Sequence, residues 1–77
     1  MKRISLVKIN TEYKGKVAEI LGNQALQNKL MGMGIYRGKE IIKVSHIGLK
    51  GPVVIKVGRS IVALGHSIAL KIMVEVL

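Results

Sequence analysis

The sequence predicts a small, mainly β protein in which about five short strands form a barrel and one α-helix is inserted between them. Leu, Ile and Val supply 28 of the 77 residues, and the Ile and Val gather in short segments of the kind that form strands. Nine Gly and one Pro separate these segments, and a single stretch spaces its apolar residues as a helix does. This length suits one domain, so we assign residues 1–77 to a single domain.

Two strands are predicted before the helix. Residues 1–10 alternate in part between apolar and polar side chains. The Lys14-Gly15-Lys16 segment resembles a turn, and a strand over residues 16–21 follows it. In that strand Val17 is expected on one face and Ala18 on the other.

The helix is predicted over about Asn23–Met33. Leu26, Leu30 and Met33 recur at i, i+4 and i+7, which places them on one helix face. Asn23 can cap the first turn by accepting a backbone N–H, and Gly34 can end the helix in a left-handed conformation.

The second half of the chain is predicted to add strands and one short helical turn near His66–Ala69. Gly58-Arg59 is typical of a two-residue hairpin turn. Closing such strands into a barrel removes exposed sheet edges, which favours an SH3-like barrel. The predicted strands cover residues 39–47, 53–57, 60–64 and 71–76.

Composition favours a binding protein over an enzyme. The net charge is +9, and the chain contains no Asp and no Cys, so disulfides, thiolate metal sites and Cys nucleophiles are excluded. The longest apolar run, Ile61–Leu64, is far shorter than the roughly 20 residues of a membrane-spanning helix. No two carboxylates are spaced for acid–base catalysis, and the four acidic residues are Glu12, Glu19, Glu40 and Glu75.

His46 and His66 are the only candidate nitrogen ligands for a metal ion. Zinc sites in proteins use three or four ligands, so two His give a weak signal and we predict neither a metal site nor a bound cofactor. A metal-sensing role through these two residues is the hypothesis that would contradict this prediction.

The 13 basic residues are spread along the chain, and most of the Lys, Lys43 among them, are expected on turns or outward strand positions. A basic SH3-like module that binds nucleic acid is therefore an alternative function. Only Tyr13 and Tyr36 are aromatic, which is few for stacking bases, so nucleic acid is not the expected partner.

Ile47 and Leu49 lie in a Gly-rich connection between two predicted strands. Two interpretations are open. These side chains fold back over the barrel mouth, or they form an apolar contact for a partner protein.

Several segments, in order, resemble the ferrous iron transport protein A (FeoA) family over about Leu6 to Val76. The helix end with Gly34-Ile35-x-x-Gly38, followed downstream by Gly51-Pro52, is the more specific combination. The matching segments are Leu6-x-x-Ile9, Gly15-x-Val17-x-x-Ile20, Leu30-x-x-Met33-Gly34-Ile35-x-x-Gly38, Gly51-Pro52-Val53, Ile61-x-Ala63-Leu64 and Ala69-x-x-Ile72-x-Val74.

The resemblance implies a cytoplasmic SH3-like domain that acts beside the membrane GTPase that carries Fe(II), a FeoB-like transporter, as an accessory or regulatory partner. It implies no enzymatic activity and no cofactor. The positive charge favours residence at the anionic inner surface of the membrane. The residues predicted to contact the transporter are Ile47, Leu49, Lys50, Lys29 and Arg37.

Overall fold

The computed structural model describes residues 3–76 as six strands and two helices. The strands join in one antiparallel sheet with the order β1-β6-β2-β3-β4-β5. The helix α1 is inserted between β2 and β3, as the sequence predicts. The elements are β1 (Arg3–Ser5), β2 (Lys14–Ile20), α1 (Gln24–Gly32), β3 (Glu40–His46), β4 (Val53–Val57), β5 (Ser60–Leu64), α2 (His66–Ala69) and β6 (Ile72–Val76).

The sheet curls around one apolar core, to which α1 contributes Leu30. The described residues fill a nearly equiaxial volume of 28 × 26 × 24 Å, as a coiled sheet does and a flat one does not. The strand order is nevertheless open, so β1 and β5 remain edges. The expectation that closure removes both edges is therefore wrong.

The predicted helix signals are confirmed. The Asn23 side chain accepts the Leu26 N–H at 2.9 Å, and Met33 is the C-terminal cap. Gly34 follows with φ of +87°, the left-handed conformation that glycine adopts most readily. The helical turn at His66–Ala69 is also confirmed.

The prediction of a turn at Lys14–Lys16 is wrong, because these residues begin β2. Gly15 lies between strands β3 and β6, where its register partners are Ile41 and Val76. A Cβ atom at this position would collide with Cγ1 of Val74. Gly15 is therefore required for close packing of strands and not for a reversal of the chain.

Two predicted side-chain orientations are wrong. The bulge between Val17 and Glu19 buries both Val17 and Ala18, although the sequence predicts them on opposite faces. Lys43 is buried two positions after the buried Ile41, so regular alternation along β3 places it in the core and its predicted outward position is wrong. A second bulge follows it, between Lys43 and Ser45.

Candidate functional site

The loop between β3 and β4 carries three of the predicted partner residues, and we call Ile47, Leu49 and Lys50 the loop surface. Leu49 is 91% exposed and Ile47 is 63% exposed. The structure thus does not fold Leu49 back over the barrel mouth. Two exposed apolar side chains beside a Lys side chain form a surface that another protein can cover and remove from water.

The backbone of this loop is tightly constrained. The Ile47 N–H donates to the Pro52 carbonyl at 3.1 Å, and Gly48 has φ of +65°. At Gly51 a Cβ atom would collide with the Ile47 carbonyl oxygen, so only glycine fits. These restraints hold Leu49 in an exposed position.

Arg37 lies elsewhere, on a shallow cleft between β2, α1 and the segment that follows the helix. Met31 and Tyr36 expose apolar surface beside it. Lys29 is exposed on α1 but does not line this cleft. The cleft has a volume of about 280 Å³, and its lining residues are Glu19, Ile20, Gln27, Met31, Tyr36 and Arg37.

The five predicted partner residues therefore do not form one surface. Arg37 precedes β3 and Ile47 follows it. The seven residues of β3 separate them by roughly 20 Å at ~3.3 Å per residue. The strand predicted over residues 39–47 already lies between Arg37 and Leu49, so this separation was a consequence of the predicted elements.

Lys43 is the buried charge of the barrel, with only 2% of its surface exposed. Its ammonium donates to the carbonyl oxygens of Leu6, Val7 and Ile9 at 3.0, 3.1 and 2.8 Å. Burial lowers the pKa of Lys43 from its ordinary value. These hydrogen bonds hold the connection after β1 against strand β3.

The structure brings the two His residues together beside this ammonium. Their rings stack with centroids 6.0 Å apart and planes at 24°. Lys43 Nζ lies 3.4 Å from Nδ1 of His46. The three N–H donors of the ammonium point to carbonyl oxygens, so the longer contact with Nδ1 is an electrostatic one that does not assign the tautomer of His46.

This arrangement favours a neutral His46 ring. Burial, then the charge of Lys43, then that of His66 lower the pKa of His46 from its ordinary value. Nε2 of His46 and Nδ1 of His66 are buried and have no hydrogen-bond partner among the described residues. Residues 3–76 contain no group of three or more His, Cys, Asp or Glu that could hold a metal ion. The pair thus places the His46 ring, which is disfavoured as a cation, next to the fixed charge of Lys43.

The acidic residues are confined to one part of the fold. Arg3 pairs with Glu19 at 3.4 Å and with Glu75 at 3.8 Å, and Lys14 pairs with Glu40 at 3.8 Å. Residues 41–74 contain no acidic residue. The stretch from Ile41 to the end of α2 therefore presents basic side chains without acidic residues of its own. No helix within residues 3–76 is long and apolar enough to cross a membrane.

The FeoA domain profile matches residues 4–76. The crystal structure of an iron uptake regulatory protein (FeoA) is 31% identical, covers both chains completely and superimposes with a TM-score of 0.88. A FeoA-like protein from Clostridium acetobutylicum is 32% identical over 100% of this chain and 90% of its own, with a TM-score of 0.85.

A manganese-dependent transcriptional repressor has the same fold. It is 20% identical over 97% of this chain and 42% of its own, with a TM-score of 0.88, and at that identity the likeness shows the fold alone. No curated protein matches the chain. The FeoA matches confirm the predicted SH3-like fold, and FeoA is a transport-associated accessory domain and not a known enzyme family. Because the domain profile spans nearly every residue, the chain belongs to the FeoA family, and this membership implies a role in a ferrous iron transport system.

Proposed function

We propose that this chain is a cytoplasmic accessory protein that binds the cytosolic part of the membrane Fe(II) transporter GTPase. The observation that carries the proposal is the loop surface, where a constrained backbone holds Leu49 at 91% exposure. An isolated exposed Leu needs no explanation, but an exposed Leu with a neighbouring exposed Ile on a restrained loop supports a contact.

The positive net charge supports a contact with the transporter at the membrane surface. A net charge of +9 attracts the chain to an anionic surface, and each basic residue near the inner leaflet contributes ~1 kcal/mol. The protein would then work at the membrane surface. Lys50 adds a positive charge to the loop surface itself.

The test is the substitution Leu49→Asp, with binding to the purified, detergent-solubilised transporter measured by biolayer interferometry. Burying a Leu side chain contributes about 1.5–3 kcal/mol, so we expect affinity to fall about 10- to 100-fold. Thr11→Asp is the matched control, since it places the same charge on an exposed loop outside the loop surface. Its affinity should stay within about twofold of the parent protein.

Both variants must give a dispersed amide NMR spectrum before affinities are compared. A folded Leu49→Asp protein that binds the transporter as tightly as Thr11→Asp would exclude the loop surface from the interface. If the parent protein fails to bind the transporter but binds RNA or DNA with an affinity that falls steeply with salt, the nucleic-acid function replaces this proposal.

A further inference from the structure

The outer edge of β5 is unpaired and lacks the protection that sheet edges usually carry. Within residues 3–76, β4 is the only strand that pairs with β5. Edges are commonly blunted by charges, Pro, bulges or very short strands. The opposite edge, β1, has three residues and includes Arg3. In contrast, β5 has five uncharged residues, no Pro and a regular register with β4.

The register shows which backbone groups point out of this edge. Val57 and Ser60 flank the two-residue turn Gly58-Arg59, and the flanking residues of such a turn exchange both backbone hydrogen bonds. Hydrogen-bonded and non-hydrogen-bonded pairs then alternate along an antiparallel ladder. The N–H and C=O groups of Ile61 and Ala63 therefore point away from β4.

The side chains at this edge are accessible as well. Ile61 is 62% exposed, and Ala63 is also exposed. Neither residue takes part in a backbone hydrogen bond outside the ladder among the described residues. We define Ile61 and Ala63, with their cross-strand neighbours Lys56 and Val54, as the β5 edge site.

Charge indicates the kind of strand that fits this site. Lys56 lies opposite Ile61, and Arg59 forms the adjoining turn. Neither Lys56 nor Arg59 forms a salt bridge among residues 3–76, and Glu40, which lines the same cleft as Lys56, pairs with Lys14. A second copy of the chain would bring another net charge of +9 to the contact. An acidic segment is attracted where a second copy is repelled.

We propose that the β5 edge site binds an extended segment of a partner protein as a seventh strand. On the face that it shares with Ile61 and Ala63, the segment has apolar residues that pack on these two side chains and an acidic residue near Lys56 and Arg59. Its backbone provides the partners for the outward N–H and C=O groups, as in other complexes formed by strand addition. This proposal concerns a surface different from the loop surface, so either can fail while the other stands.

The experiment uses two synthetic peptides and amide hydrogen exchange measured by NMR on the full chain. The first is a capped nine-residue peptide in which Thr occupies every second position and Val or Glu the positions between, so that Val and Glu share one face, and the second carries Lys in place of each Glu. With the acidic peptide at nine times its dissociation constant, exchange of the Ile61 and Ala63 amides should slow about tenfold. The Lys peptide should give no slowing at the same concentration.

Backbone variants test the register directly. Ala63→Pro removes an outward N–H and leaves the β4–β5 ladder intact, so the protein should fold and bind the acidic peptide about three- to tenfold more weakly. Val62→Pro is the matched control, since it removes an N–H that faces Ile55 and should destabilise the fold. Ile61→Asp leaves the backbone unchanged and places a carboxylate against the acidic peptide, so it should also abolish peptide binding, whether or not the proline variant folds.

Three results would overturn the proposal. One is equal binding of the acidic and Lys peptides. Another is protection that spares Ile61 and Ala63 while other amides slow. The third is concentration-dependent dimerisation that protects these two amides without any peptide, because the occupant would then be a second copy of the chain.

Discussion

Replacing Lys43 by Met tests whether the buried ammonium holds the connection after β1 in place. The substitution keeps an unbranched side chain of similar length and removes every N–H donor. Three carbonyl oxygens, of Leu6, Val7 and Ile9, then lose the ammonium that satisfies them. No backbone N–H among the described residues donates to any of the three.

The magnitude follows from these three acceptors. A buried polar group left without a partner costs about 1–3 kcal/mol. Burying the Lys43 charge has a cost of its own, as its lowered pKa indicates, and Met removes that cost. We therefore take the lower end of the range, about 1 kcal/mol, for each of the three acceptors. We expect the free energy of unfolding to fall by about 3 kcal/mol, from the ~4–12 kcal/mol typical of 77 residues.

Urea unfolding followed by circular dichroism measures this change. At about 4–8 °C per kcal/mol, the melting temperature should fall by roughly 12–24 °C. Lys16→Met is the control, since Lys16 is exposed on β2 and its loss should cost under about 0.5 kcal/mol. If Lys43→Met is as stable as Lys16→Met, water or a backbone shift satisfies the three carbonyls and the role assigned to the ammonium is refuted.

Two further predictions concern stability. The pKa of His46 is lowered in the folded state, so between about pH 6.5 and that lowered pKa the unfolded chain binds more protons than the folded one. The contribution of a neutral His46 to the free energy of unfolding is therefore complete above pH 6.5 and is lost as the pH falls. The pH dependence of the unfolding free energy should therefore flatten in His46→Gln between pH 6.5 and 5, and an unchanged slope would contradict the assignment. Asn23→Ala should lower the free energy of unfolding by about 1 kcal/mol, because the Leu26 N–H loses its acceptor, whereas Ala at Asn28 on the same helix should cost less. Equal losses in the two variants would show that the cap contributes nothing specific.

The elements with local signals were predictable from the sequence. Asn23 caps the helix and Gly34 ends it because each acts on backbone groups within a few residues of itself. Gly58 has φ of +60° in the predicted hairpin for the same reason. Such features depend on the conformation of a single turn, and the order of residue types determines that conformation.

The features that depend on strand register were not predictable. Lys43 lies two positions after the buried Ile41, so alternation along β3 places it in the core although its charge predicts an outward position. The bulge between Val17 and Glu19 buries Ala18 beside Val17, which alternation alone would not do. His46 and His66 are 20 positions apart, and only the β3–β4–β5 pairing brings their rings within 6.0 Å. A bulge inserts one residue without a characteristic sequence, which is why a period-two pattern cannot reveal it.

The two proposed contacts lie at neighbouring parts of the same hairpin. Val53, the first residue of β4 after the β3–β4 loop, is opposite Leu64 in the register. The turn at Gly58-Arg59 closes the other end of the β4–β5 hairpin. A segment added along β5 that passes Ala63 toward Leu64 therefore runs toward the end of the sheet that carries the loop surface. Both contacts also lie within residues 41–74, where no carboxylate repels an acidic partner. The single-site variants Leu49→Asp and Ile61→Asp separate the contributions of the two surfaces, because both side chains are exposed and their replacement leaves the core unchanged.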